Sequence, residues 1–403
     1  MRLLFVVHGH PQYSKGGAEV ACYNLFKAAL DEGHDAFLIA GVTAPTKIEG
    51  VIEKISPNEF LVASQTPDYF FLQSGDPQAT SEFEKLLIEL RPEVIHFHHF
   101  IHLGLDWLAL AKATVPSANV VLTLHEYYAI CANNGQMVVP VSYDLCSESN
   151  PKKCGECIGR NSDEMLFREL MFKGSFSRVD HFVSPSLFLK ERYVAWGLPP
   201  DEISVIENGL DLSLYKPKAE PQKSVGSLRI AYFGQMTPFK GVDILLDALL
   251  LLPEETLPKI QLKIHGANLS VQRDDYKSVL SGKIMRLGKT VELCGRYESH
   301  EFSNLAGSAD YMVMPSRWWE NSPVVIQEAR ACNIPIIVSD IGGMREKVVP
   351  GKNGLWFDAG SAVSLAALLE MLIDQSNLES FEITEPLGHK KSLAQHLIIY
   401  QGK

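Results

Sequence analysis

Runs of four to six apolar residues recur along the whole chain, most of them followed by a segment of helical periodicity. Leu3–His8, Ala36–Ala40, Val94–His98 and Val120–His125 read as strands in the first half, with His181–Ser184 and Ile203–Ile206 after them. Gly16–Asp31 carries apolar residues at helical spacing, among them Val20, Leu25 and Leu30, and Glu82–Leu90 is helical until Pro92 stops it. Residues 41–81 are less regular and leave room for a hairpin. Strands that alternate with helices predict a parallel sheet flanked by helices. Tyr215–Gly226 is rich in Pro and Lys and lacks apolar periodicity, so an interdomain linker falls there. A second series follows, with strands at Arg229–Phe233, Gln261–His265, Val291–Cys294, Tyr311–Met314 and Ile334–Val338. Helices at Val242–Leu252, Glu301–Ala306 and Val324–Ala331 separate them.

The chain has 403 residues, which suits two domains. The expected division is 1–200, a linker region 201–226, 227–385, and a C-terminal helix within 386–403 that packs back on the first domain. The fold class is α/β, with two Rossmann-like domains and a cleft between them, and ligands are expected at the carboxyl ends of the strands. A net charge of −11 argues against a nucleic-acid binder. No run approaches the ~18–20 apolar residues of a membrane-spanning helix. The apolar run at Met1–His8 is too short for a signal peptide and lacks a small-residue cleavage site. These features predict a cytoplasmic protein, with peripheral membrane attachment left open.

Of seven cysteines, Cys22, Cys294 and Cys332 lie singly in apolar segments and read as core. Cys131, Cys146, Cys154 and Cys157 cluster around the polar, turn-rich stretch Asn133–Asp163, which reads as an insertion spanning 131–163. Disulfides are disfavoured in a reducing compartment. Four thiols ending in Cys-x-x-Cys suit a structural zinc that pins the insertion. An iron–sulfur cluster, free thiols or a redox pair are the alternatives. His96, His98 and His99 also cluster, but ligands from one strand end rarely converge on a metal. Lining of an acceptor site by His98 or His99 is the preferred reading.

The stretch from Pro315 to Ala329 is the most informative. It follows a strand, and Ser322 as N-cap with Pro323 as first helical residue predict a helix start. Unpaired N–H groups at that start suit a diphosphate. Glu320 lies just before it, and Glu328 about 7.5 Å further along the axis. One carboxylate could accept from sugar hydroxyls and the other from ribose hydroxyls. Two solvated glutamates on a capped helix are the plain alternative.

Glu320 and Glu328 match the Glu-x7-Glu signature of retaining GT-B glycosyltransferases, and the chain resembles glycosyltransferase family 4 nearly end to end. Gly16-Gly17-Ala18-Glu19 looks like its first glycine loop, and His125-Glu126 like its histidine at a strand end. Glu207-Asn208-Gly209 resembles the turn before its linker. Gly234 to Lys240-Gly241 resembles its phosphate loop. Asp340 to Glu346 and Gly351 to Leu355 resemble its late signatures. Gln235 departs from the family, which usually has arginine there, and it brings no positive charge. Lys240 and Arg296 are candidates to compensate.

The resemblance implies a GT-B enzyme that transfers a sugar with retention from a nucleotide-diphosphate donor to a saccharide or lipid-linked acceptor, without a catalytic metal. It implies catalytic roles for His125, Glu320 and Lys240. Donor binding falls to Gly17, Gly234, Gln235, Arg296, Tyr297, Asn321, Ser322, Pro323, Val324 and Glu328. Gly16, His98 and His99 fall on the acceptor side. The rivals are a nucleotide-sugar epimerase and a donor-binding regulatory subunit of low activity, the latter suggested by Gln235.

Overall fold

The structure is a computed structural model. It describes residues 1–14, 16–42, 51–63, 68–73, 76–218, 226–374 and 381–402. The chain divides into two compact units, Met1–Leu210 with Leu387–Lys403, and Asp211–Pro386. Part of the expected linker, residues 219–225, lies outside the described residues.

The first unit is built on eight strands: β1 (Arg2–Val7), β2 (Asp35–Val42), β3 (Ile52–Ser56), β4 (Glu59–Ala63), β5 (Val94–Phe97), β6 (Asn119–Thr123), β7 (His181–Ser184) and β8 (Ile203–Val205). Their order is β3-β4-β2-β1-β5-β6-β7-β8, and every neighbouring pair is parallel except the hairpin β3-β4. The strands read as unbroken apolar runs because helices cover both faces. Leu4, Phe5, Val6 and Val7 are fully buried. The chain leaves β1 toward β2 on one side and returns to β5 on the other, so the strand order reverses at β1.

Helix α1 (Gly17–Asp31) lays Cys22, Leu25, Phe26, Ala28 and Ala29 on this sheet. Helices α2 (Pro77–Leu90) and α3 (Asp106–Thr114) follow β4 and β5. After β6 the insertion runs as turns with one bridge, Val138 to Leu145. It then forms α4 (Pro151–Ile158), inside the stretch that reads from the sequence as polar and turn-rich. The local signals were present: Asn150 accepts from the Lys153 N–H at 3.0 Å, Pro151 opens the helix, and Gly159 closes it at φ +71°. Helices α5 (Ser162–Phe176) and α6 (Leu187–Trp196) complete the series.

The second unit has six strands, all parallel: β9 (Leu228–Gln235), β10 (Ile260–Ala267), β11 (Val291–Gly295), β12 (Tyr311–Met314), β13 (Ile336–Ser339) and β14 (Gly354–Phe357). Their order is β11-β10-β9-β12-β13-β14, so the reversal lies between β9 and β12. Helices α7 (Val242–Leu251), α8 (Asp274–Leu287), α9 (Phe302–Ala306), α10 (Val324–Ala331), α11 (Gly342–Lys347) and α12 (Ala362–Asp374) connect or follow them. Two core clusters cover the two faces, one built on Leu245, Leu249 and Leu369, the other on Phe302, Ile326 and Met344. The last helix, α13 (His389–Tyr400), belongs to the first unit. It packs on α1 with Leu393, Ile399 and Tyr400 in that core. Each such side chain contributes about 1.5–3 kcal/mol by leaving water.

Candidate functional site

In the second unit the segments that follow β9, β12 and β13 meet through glycines. Gly241 sits at φ +69°, and a Cβ there would lie 1.9 Å from the Pro315 carbonyl oxygen. A Cβ on Gly343 would lie 1.6 Å from the Asn321 carbonyl oxygen, while the Gly343 N–H donates to the Glu320 carbonyl at 2.7 Å. Only bare backbone lets these loops touch, and their contact fixes the segment that carries Glu320.

Glu320 is 6% exposed. Its Oε1 accepts from Lys240 Nζ at 2.6 Å, Ser316 Oγ at 2.8 Å and Trp318 Nε1 at 2.8 Å. All of its side-chain hydrogen bonds with described residues go to Oε1, which leaves Oε2 for another donor. Lys240 ends a short 3₁₀ turn (Pro238–Lys240) and also lies 5.4 Å from the Trp318 ring centroid. Ser316 and Trp318 were not singled out from the sequence. The Trp-Trp pair before Glu320 was the available signal.

Helix α10 spans Val324–Ala331, so it begins one residue later than Ser322 as N-cap would place it. Pro323 occupies the N-cap position without a side-chain cap, and Val324 is the first helical residue. The Ser322 hydroxyl caps nothing: it is buried without a partner among the described residues. The first N–H groups of the helix have no intrahelical acceptor. Glu328 faces inward from α10, 6% exposed, and accepts from the Tyr215 hydroxyl at 2.9 Å. Burial pushes its carboxyl up to about 7. Tyr297, whose hydroxyl is raised by burial and by Glu328, packs on Phe233 and Phe302. His265 stacks on Phe233 at 4.6 Å, with Nε2 buried and unpartnered among the described residues. Gly234 takes φ +151° at the end of β9. Gln235 is exposed there, and its carbonyl accepts from the Tyr232 hydroxyl. Arg296 is exposed after β11 and bonds to no described residue, so it does not join Lys240. The structure thus gathers Lys240, Ser316, Trp318 and Glu320 at one point, and Tyr215, Tyr297 and Glu328 at another.

In the first unit, the ends of β1, β5 and β6 carry imidazoles and carboxylates. His125 follows β6, and its Nε2 is hydrogen-bonded to His98 Nδ1 at 3.0 Å. His98 is itself 3% exposed, so it supports His125 from behind and does not line an open surface. His96 is held on both nitrogens, by the Tyr400 hydroxyl at 2.6 Å and Thr123 Oγ1 at 2.7 Å. Burial pushes His125 down to about 3 and lowers His96, His98 and His99 well below the usual imidazole value. These rings are neutral near pH 7.

His99 Nδ1 accepts the backbone N–H groups of Phe100 and Ile101, each at 3.0 Å. Its proton therefore sits on Nε2, which faces Glu126 Oε1 at 3.4 Å. Glu126 also accepts from the Tyr128 N–H, and burial pushes its carboxyl up to about 8. Glu19 folds over Gly16, where a Cβ would lie 2.2 Å from its Oε2. It accepts from Ser14 Oγ at 2.9 Å and lies 3.4 Å from His8 Nε2. Gly17 starts α1. Glu19 and Glu126 follow the glycine pair and His125 in the sequence, yet were given no role there.

The zinc expectation does not hold. Among the described residues no group of three or more His, Cys, Asp or Glu side chains could hold a metal ion. Cys131, Cys146, Cys154 and Cys157 are free thiols on the wall of a cavity of about 240 Å³ shared with Met137, Val138 and Leu145. Cys131 Sγ accepts from the Met137 N–H and Cys154 Sγ from the Asn150 N–H, each at 3.3 Å. Burial and the neighbouring thiols push Cys131 and Cys157 up, and Cys146 up to about 11. No helix among the described residues is long and apolar enough to cross a membrane.

Residues 15–214 match the family described as Glycosyltransferase Family 4, and residues 216–382 match Glycosyl transferases group 1. The chain is 30% identical over 185 residues to a D-inositol 3-phosphate glycosyltransferase of Arthrobacter, covering 43% of this chain and 42% of that protein. It spans less than two thirds of the length of the inositol-phosphate enzymes it matches. It is 29% identical over 380 residues to an uncharacterized glycosyltransferase of Methanocaldococcus jannaschii, covering 88% and 85% of the two chains. The crystal structure of Anabaena HepE in complex with UDP and glucose superposes with a TM-score of 0.66 at 20% identity, over 100% of this chain and 98% of that one.

Proposed function

Because the chain belongs to glycosyltransferase family 4 and has the GT-B fold, we propose that it is a retaining glycosyltransferase. Its second unit takes a nucleotide-diphosphate sugar and its first unit takes a saccharide or lipid-linked acceptor. The observation that carries the reading is Glu320: a buried carboxylate whose Oε1 is saturated by Lys240, Ser316 and Trp318 while Oε2 stays available.

In this reading Oε2 of Glu320 accepts from a sugar hydroxyl, and Glu328 with Tyr215 meets the ribose. The base lies against Tyr297, with Arg296 beside it. The diphosphate sits where the N–H groups of Val324 and its neighbours emerge after Asn321, Ser322 and Pro323, with Lys240 and the Gly234-Gln235 backbone on its other side. As the bond from the anomeric carbon to the phosphate oxygen breaks, charge builds on the diphosphate and Lys240 stabilises it. The acceptor oxygen bonds to the same face of that carbon. Its proton passes to the departing phosphate oxygen. His125, neutral and braced by His98, donates or accepts a hydrogen bond to the sugar without changing charge. Gly16 lets the acceptor, and Gly17 the donor, approach backbone closely.

The test is a thermal-shift screen against UDP-, GDP- and ADP-sugars, since a ligand that binds only the native state raises its melting temperature. Nucleotide release with acceptor and product NMR follow. Stabilisation by one nucleotide sugar, and a product with the donor's anomeric configuration, are expected. Inversion at that carbon, or epimerised donor formed without acceptor, would refute the reading. Donor binding without transfer over a broad acceptor panel would favour the regulatory alternative that Gln235 suggests.

A further inference from the structure

The strand ends of the first unit bring together His8, Glu19, His99, His102 and Glu126, with His125 beside them. They lie where the strand order reverses at β1, the place where open parallel sheets bind ligands. Glu19 acts electrostatically on His8 and His102; the other groups acting on these imidazoles are their neighbouring histidines. Arg168 acts on Glu126. It is 2% exposed, and it donates to the carbonyls of Phe70, Ala129 and Tyr128. It therefore faces backbone and presents no guanidinium edge to a ligand.

The imidazoles do not supply the missing charge. The His99 ring is fixed as the neutral tautomer by two backbone donors. The His8 Nδ1 atom is buried without a partner among the described residues, so one ring nitrogen at this place is left for a hydrogen bond. The set offers carboxyl oxygens, neutral ring nitrogens and the face of Tyr128, 5.9 Å from the His99 ring. Hydroxyl groups on a pyranose or cyclitol ring satisfy such a set. A phosphate monoester would instead meet the Glu19 carboxylate, with no Lys or Arg among the groups acting on His8, His99 and His102.

We propose that the acceptor enters this site as an uncharged, hydroxyl-rich ring, and that the Glu19 carboxylate excludes phosphorylated rings, while Glu126, held largely protonated by burial, offers hydrogen bonds. The inference rests on the glycosyltransferase reading and goes beyond it by naming the acceptor's chemistry. It also separates this chain from relatives whose names specify an inositol phosphate.

The test is ligand-observed saturation-transfer NMR on the full chain with UDP present. The probes are paired: methyl α-glucoside with glucose 6-phosphate, methyl α-mannoside with mannose 6-phosphate, and myo-inositol with inositol 1-phosphate. At least one neutral member is expected to bind tenfold or more tightly than its phosphorylated partner. Glu19→Gln removes a carboxylate at constant volume and is expected to narrow that gap about tenfold, whereas Glu126→Gln, at a carboxyl that burial holds largely protonated, is expected to leave it within about twofold. Tighter binding of the phosphorylated members would overturn the proposal, including binding carried by Lys15, which lies outside the described residues. So would failure of every neutral ring to bind, or a gap unchanged in Glu19→Gln. Failure of the glycosyltransferase reading looks different: no nucleotide sugar then stabilises the protein, whatever the rings do.

Discussion

Exchanging Glu320 for Gln keeps the side-chain volume and an oxygen for Ser316 and Trp318, and removes only the charge opposite Lys240. Exchanging Lys240 for Met removes the other half of the pair. A double-mutant cycle of the two isolates their coupling, provided neither variant makes new contacts. Breaking a buried pair by removing one partner costs about 3–5 kcal/mol. The Lys240 and Glu320 side chains are 25% and 8% exposed, so the pair is only partly screened. A coupling of about 2 kcal/mol is expected on those grounds. A chain of two units need not unfold in one transition. Hydrogen exchange across Tyr311–Ala331 reads the local effect without assuming that it does. Coupling below about 0.5 kcal/mol would refute the claim that this pair holds the Glu320 loop. In transfer assays Glu320→Ala loses a sugar contact, and a fall in kcat/KM of about 10²–10³ is expected. Near wild-type turnover would remove Glu320 from the mechanism.

Glu328, raised by burial to about 7, stays protonated in the folded state where the unfolded chain ionises. The unfolded state then binds fewer protons, so the second unit loses stability as pH rises from about 4.5 to 7. Glu328→Gln keeps an acceptor for Tyr215 and should recover up to about 3 kcal/mol at pH 8 relative to pH 5, read by denaturant unfolding. An equal effect at both pH values would contradict the assignment. The buried histidines of the first unit act with the opposite sign. His125 and His396, lowered to about 3 and 4, resist protons that the unfolded chain takes up below about pH 6.5. The first unit should lose about 2 kcal/mol per such histidine between pH 7 and 5, visible as faster exchange in β5 and β6 and absent if these rings are solvated. Gly343→Ala and Gly241→Ala should each cost about 3 kcal/mol or more and depress donor binding. Gly295→Ala, at φ +80° with no atom within 4 Å of its new Cβ, should cost about 1 kcal/mol. Equal costs at all three would mean that the loop contacts are not tight.

Most strands were legible because they are buried on both faces and so are written as unbroken apolar runs. The helix at Val324–Ala331 was legible from its position after β12. Its cap was misread because Ser322 is the better capping residue by chemistry, yet Pro323, with φ −62° and ψ 122°, already has the extended backbone of an N-cap. Helix α4 was hidden for a different reason. Its Cys and Lys residues lack an apolar stripe, and only its caps announce it. The zinc expectation drew on spacing alone. Spacing says that four thiols are near in sequence, but not whether they converge or turn to separate backbone donors, as Cys131 and Cys154 do.

The Glu320 site shows why part of a site stays unwritten. Its key bond joins residues 80 positions apart, brought together by the contact of Gly241 with the end of β12. A motif can name the glutamate and the lysine without saying that they pair. The pairing matters for the chemistry. If a sugar hydroxyl had to displace Lys240 from Glu320, binding would begin by breaking a partly buried ion pair. With all three donors on Oε1, a hydroxyl can add to Oε2 while the pair stays intact. In the proposed reaction Lys240 then keeps a fixed position as diphosphate charge develops, and stabilises the transition state without first being reorganised.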